Sequence, residues 1–152
     1  MVRAYIESLL ERLTGNERVV PDDDGDYPVR YRHALYYVRV LGDVDPSVQV
    51  FSVALAGVDG SPELYEELNT INSNIRFARA FWVRGQVLVE ADLVAEGIDP
   101  PDFDNACLAV ARITDHYAPL LAERFGGKTA FADEKDDAAA AEPPPGPTGQ
   151  YL

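Results

Sequence analysis

The stretch FARAFWVRGQVLVEADL, residues 77–93, constrains the fold more than any other part of the chain. Two apolar runs, Phe77–Val83 and Gln86–Leu93, flank Arg84-Gly85, and a glycine at the second place of a two-residue turn supplies the positive φ that a tight hairpin needs. With Val83 opposite Gln86, counting by twos assigns both faces. One face collects Ala78, Ala80, Trp82, Val87, Val89, Ala91 and Leu93, which is apolar and suited to receiving helices. The other collects Phe77, Arg79, Phe81 and Val83 beside Leu88, Glu90 and Asp92, and sets Arg79 across from Glu90.

A half-wet face has little use for so many apolar side chains. Burying one of them is worth about 1.5–3 kcal/mol, so several left in water forgo much stability unless something covers them. The strand expected over Val48–Ala56 repeats the theme, because Phe51, Val53 and Leu55 alternate with Val50, Ser52 and Ala54. Either helices cover both faces, or the second face meets a partner. On the partner reading, Phe51, Phe77, Arg79, Phe81, Val83 and Leu88 are the candidate binding residues.

Around the hairpin the pattern reads helix, strands, helix, hairpin, helix, which is α+β. Val2, Ile6, Leu9, Leu10 and Leu13 form one helical stripe that Gly15 stops. Strands are expected near Val29–Tyr31 and Leu35–Leu41. Ser61 caps a second helix with Pro62 at its first position, and Leu64, Leu68, Ile71 and Ile75 repeat at helical spacing. Asn69, Asn72 and Asn74 can serve the backbone groups that this helix leaves unpaired at its end. A third helix follows Asp99-Pro100-Pro101, carries Phe103, Ala106, Val110, Ile113, Tyr117 and Leu121 on one side, and stops near Gly126-Gly127. Pro119 inside it predicts a kink or a break.

Residues 1–127 suit a single domain, large enough to remove roughly two-thirds of its unfolded surface from water. Residues 128–152 turn acidic, then alanine-rich, then proline-rich, the composition of a disordered tail. Pro144 and Pro147 have PxxP spacing but no flanking arginine. Tyr151-Leu152 can dock on an apolar face of the same molecule or a neighbour.

The net charge of −13 opposes binding to nucleic acid or anionic lipid. The arginine and aromatic strand lacks the glycines and basic platform of an RNA-recognition sheet. No run approaches the roughly 18 apolar residues of a membrane span, and the N-terminal stripe is too interrupted for a signal peptide, so a cytoplasmic protein is expected. Cys107 is the only cysteine, which excludes an internal disulfide. Asp22-Asp23-Asp24-Gly25-Asp26 fails the calcium-loop frame, since glycine falls fourth and His33 twelfth, and reads as a solvated turn. His33 and His116 sit in no nucleophile or metal spacing, and Asp115-His116 reads as a solvated pair. The residues therefore name no catalytic set, no metal site and no cofactor.

LNTINSNIRFARAFWVRGQVLVEADL, followed by an amphipathic helix ending LLAERFGG, resembles the YbjN family, which is similar in fold to the small acidic type III secretion chaperones. The likeness covers about residues 1–127, with Leu68-Asn69, Asn72 and the strand, glycine turn and strand as its best markers. It implies a helix-strand-strand-strand-helix-strand-strand-helix order, a twisted antiparallel sheet of about five strands, frequent homodimers, and extended peptide segments bound on apolar surface. The expected function is a non-enzymatic module holding a protein or peptide client on its apolar sheet face. The alternative is a regulatory or scaffolding protein whose apolar face makes only a homodimer.

Overall fold

The computed structural model describes residues 1–134. The expectations placed on Pro144, Pro147 and Tyr151-Leu152 lie outside the described residues. The elements run α1 (Val2–Thr14), β1 (Tyr27–Tyr31), β2 (Ala34–Leu41), β3 (Ser47–Ala56), α2 (Pro62–Asn74), β4 (Arg79–Val83), β5 (Gln86–Val94) and α3 (Pro100–Phe125), then a short 3-10 turn at Ala132–Glu134. The strands form one antiparallel sheet in the order β1-β2-β3-β5-β4. This is the α+β order that the sequence predicts.

Helix signals act where they stand. The Ser61 hydroxyl accepts from Leu64 N–H at 3.1 Å with Pro62 next to it, and the Asp99 carboxylate accepts from Asp102 N–H at 2.9 Å ahead of Pro100. Gly15 ends α1 at φ 74°, a left-handed cap that glycine takes without strain. Pro119 does not break α3, which continues through it to Phe125. Losing a bond to the Asp115 carbonyl costs about 3 kcal/mol in an isolated helix, but Ala118 and Leu121 are buried on either side of the proline and hold the turn to the core.

α3 lies along one face of the sheet, against β1, β2, β3 and β5, and α1 packs beside it. Arg12 of α1 pairs with Asp104 of α3 at 2.6 Å, and the buried Tyr27 hydroxyl donates to Glu7 at 2.6 Å. Between them Val38, Val48, Val50, Val87, Val89, Phe103, Val110 and Ile113 are buried. α2 flanks the outer edge of β4 and is tied to α3 through Glu67 and Arg124 at 2.7 Å. Asn72 does more than finish its own helix: its amide donates to Ala80 C=O at 2.9 Å and accepts from Ala80 N–H at 2.8 Å. A side chain thus pairs with β4 as a neighbouring strand would, and blunts an otherwise open edge. Asn74 closes the helix as expected, donating to Thr70 C=O at 3.0 Å.

Two register details correct the sequence reading. A β-bulge between Val53 and Leu55 shifts the pairing, so Leu55 does not follow Phe51 and Val53 but turns into the core and is buried. β4 begins at Arg79, because Phe77 has φ 69° and cannot continue a strand. The chain also stays packed beyond Gly127. Lys128 and Ala56 exchange two backbone hydrogen bonds of 2.9 Å.

Candidate functional site

Among the described residues no helix lies over the second face of the sheet. Helices do not cover both faces, and the apolar residues there stand at a half-buried surface.

The register lays this face out in rows that cross the strands. One row passes through all five strands as Pro28, Tyr37, Phe51, Glu90 and Arg79. Beside it Val53, Leu88 and Phe81 pair in turn, with Leu35 and Arg30 continuing toward β1. On the other side lie Arg39, Gln49 and Asp92, then Leu41, Ser47 and Val94. Val83, paired with Gln86, closes the apolar end next to the turn. The hairpin register, including Arg79 opposite Glu90, is the one that the sequence predicts.

Two arginines organise the face. Arg39 holds Asp26 through both carboxylate oxygens at 2.8 and 2.6 Å, and its guanidinium sits 4.7 Å from the Phe51 ring centre. Phe51 in turn stacks on Tyr37 at 5.2 Å with planes 17° apart. Arg79 binds Glu90 at 2.7 Å, reaches Asp92 at 3.5 Å, and lies 5.2 Å from the Phe81 ring centre. Each guanidinium shields part of a phenyl face while keeping its own charge paired. The hydrogen bonds to Asp26 and Glu90 push the two arginines further toward the charged form, against some desolvation. Burial and the carboxylates of Asp22, Asp26 and Asp24 raise the Tyr37 hydroxyl pKa, so that ring stays neutral.

Phe51, Arg79, Phe81, Val83 and Leu88 thus share one face. Phe77 stands apart, outside the strand, at the β4 margin and 65% exposed. A bulky residue at positive φ costs about 1–2 kcal/mol, so the chain accepts strain to hold this ring at the surface. The sequence reading missed Tyr37 and Arg39, although the alternation of β2, carried one strand further from β3, leads to both.

Among the described residues, none on this face is a nucleophile with a base beside it. Cys107, on the buried side of α3, lies next to Tyr36, and desolvation pushes its thiol pKa far up, so thiolate is scarce. Asp115 accepts from the His33 backbone N–H at 3.2 Å and lies 3.9 Å from the Arg32 guanidinium, while the exposed His116 ring meets Tyr117 edge-on at 4.7 Å. The carboxylates of Asp22, Asp24 and Asp26 lie within 4.8 Å of one another. Two of them are already engaged: Asp22 accepts from the backbone N–H groups of Asp24 and Asp26, and Asp26 carries Arg39. This is a turn built by its side chains. No helix among the described residues is long and apolar enough to cross a membrane. What the open face offers is an apolar row for side chains, with charged groups alongside for a peptide's polar atoms.

No curated protein sequence matches the chain. Solved structures do. The chain is similar to a chain of the ExsC–ExsE complex, with TM-score 0.60 and 13% identity over 78% of this chain and 95% of that one. It is similar to a chain in the structure of the Yersinia pestis type III secretion chaperone SycH with a stable fragment of YscM2, with TM-score 0.52 and 15% identity over 72% and 96%. It is also similar to a chain of the HopA1–SchA chaperone–effector complex, with TM-score 0.55 and 12% identity over 77% and 95%. At these identities the likeness shows the fold. Residues 1–133 match the family model TY-Chap1, and the chain belongs to this family, the T3SS (YopN, CesT) and YbjN peptide-binding chaperone 1 group.

Proposed function

We propose that the protein holds an extended peptide segment of a client protein on the open face of its sheet, without catalysis, and does so in the cytoplasm. The observation that carries this reading is the apolar row Leu35, Val53, Leu88 and Phe81, left without a helix among the described residues while α3 covers the opposite face. Membership in a peptide-binding chaperone family supports it, and so do relatives in fold whose structures include chaperone–effector complexes. The contact residues are Phe51, Phe77, Arg79, Phe81, Val83 and Leu88, joined by Tyr37 and Arg39. The chain's net charge of −13 favours clients whose apolar residues are interspersed with lysine or arginine, and disfavours nucleic acid and anionic membranes.

A homodimer is part of this proposal, made through a surface other than the client face. The scaffold alternative, in which the open face makes only the dimer, predicts that one substitution abolishes self-association. A scan of peptides alternating apolar and basic residues, against the protein and its Leu88→Ser variant, tests the reading. Binding in the micromolar range that Leu88→Ser weakens tenfold or more supports it. Equal binding by both proteins, or monomers produced by Leu88→Ser, refutes it.

A further inference from the structure

After α3 the chain changes sides. Gly126 and Gly127 both have positive φ, at 81° and 83°, and a Cβ on Gly127 would stand 2.8 Å from the Ala56 carbonyl oxygen. Only glycine lets the backbone pass there. Lys128 then pairs with Ala56 on the flank of β3 away from β5, whose Gln86 holds the opposite flank. Phe131 lies on the Arg30 guanidinium, 3.7 Å from ring centre to charge, and Glu134 binds the same arginine at 3.0 Å. Arg30 faces the open side at the β1 end of the apolar row, opposite Leu35. A chain that began in the helix layer is thus pinned, by one ring and one ion pair, at the entrance to the uncovered face.

We propose that residues 135–152 of this same chain occupy the open face in cis and compete there with the client. The inference rests on the reading of that face as the client surface. Reach is no obstacle: from the β1 lane to Phe81 in the β4 lane is about 19 Å at the usual strand spacing, and eighteen extended residues span up to about 59 Å. The residues fit a replaceable occupant. Tyr151 and Leu152 are the only large apolar side chains among them, set against a row of several, so a client with more apolar residues wins the surface. The acidic run Asp133, Glu134, Asp136 and Asp137 starts at Arg30, the cation that Glu134 binds. A tethered segment acts at an effective concentration on the order of a millimolar, enough for a weak occupant to fill the face.

The test uses the full chain with a nitroxide on Gln150→Cys, since buried Cys107 is not labelled, and follows methyl signals. Broadening of Leu35, Val53 and Leu88 with Leu9 and Leu10 of α1 spared is the expected result. Absence of broadening overturns the proposal, as does broadening that appears only when nitroxide-bearing and methyl-labelled chains are separate molecules. Substituting Tyr151→Asp with Leu152→Asp in the full chain should raise binding of anilinonaphthalene sulfonate several-fold, and unchanged dye binding again overturns it. The two readings fail separately. If Leu88→Ser loses peptide while the methyls do not broaden, the client face stands without its internal competitor. If the methyls broaden and no peptide binds, the cover stands and the client does not.

Discussion

Both faces of this sheet carry rows of apolar side chains, and the rows meet opposite fates. On the covered face the strands bring apolar side chains and no charge: Val38, Val48, Val50, Val87, Val89 and Ala91 are all buried under α3. On the open face phenylalanine, leucine and valine alternate with arginine and acid, and each guanidinium lies over a ring that it partly shields. What marks the open face is charge set among its apolar side chains and placed so that it stays paired in water.

The largest expected contrast is a carboxylate placed on each face. Val50→Asp buries an unpaired charge among α3 and its neighbours and should cost about 4 kcal/mol or more, enough to unfold the protein. Leu35→Asp on the open face should change stability by less than about 1.5 kcal/mol, and chemical denaturation of the pair would break the comparison if the two costs matched.

The ion pair comes next. Glu90 is 7% exposed, so Arg79→Ala leaves its carboxylate nearly buried with no cation and should cost about 1–3 kcal/mol. Adding Glu90→Gln to that variant should recover much of the loss, and a double variant no better than the single one would place the stabilisation elsewhere.

A pH effect belongs to the covered face. Burial raises the pKa of Cys107 from 9.0 and of Tyr36 from 10.0. Both hold their protons in the folded state after the unfolded chain has released them, so their contribution is complete below pH 9 and fades above it. The expected slope is a loss of about 1.4 kcal/mol per pH unit for each group past its unfolded pKa. Denaturation midpoints from pH 8 to 10.5 check this, and Cys107→Ala should delay the decline toward pH 10.

The smallest effect sharpens the role of the margin. Phe77→Asn puts a residue that tolerates positive φ where the ring stood, so stability should hold or rise by up to about 1 kcal/mol while peptide binding weakens. A loss of stability would make Phe77 a packing residue.

Much of this was legible in the sequence because its signals are local. Ser61-Pro62, Asp99-Pro100 and Arg84-Gly85 each fix a start or a turn within a few residues, and the hairpin register followed from one glycine. What was not legible depends on distant partners. Pro119 looks like a breaker until Ala118 and Leu121 are seen to be buried, and Leu55 looks like a surface residue until the bulge beside it turns it inward. Asn72 serves Ala80, a strand edge eight residues on, which helix-end chemistry alone does not foresee. The uncovered face was readable as an excess of apolar residues, but only the placement of α1, α2 and α3 away from it shows that none of them fills the role.

The most direct measurement pairs stability with client capture for Phe81→Asp. The account predicts a folded variant, with a denaturation midpoint close to that of the parent, that no longer retains the peptides or proteins the parent binds. An unfolded variant, or a folded one that binds as before, would contradict it.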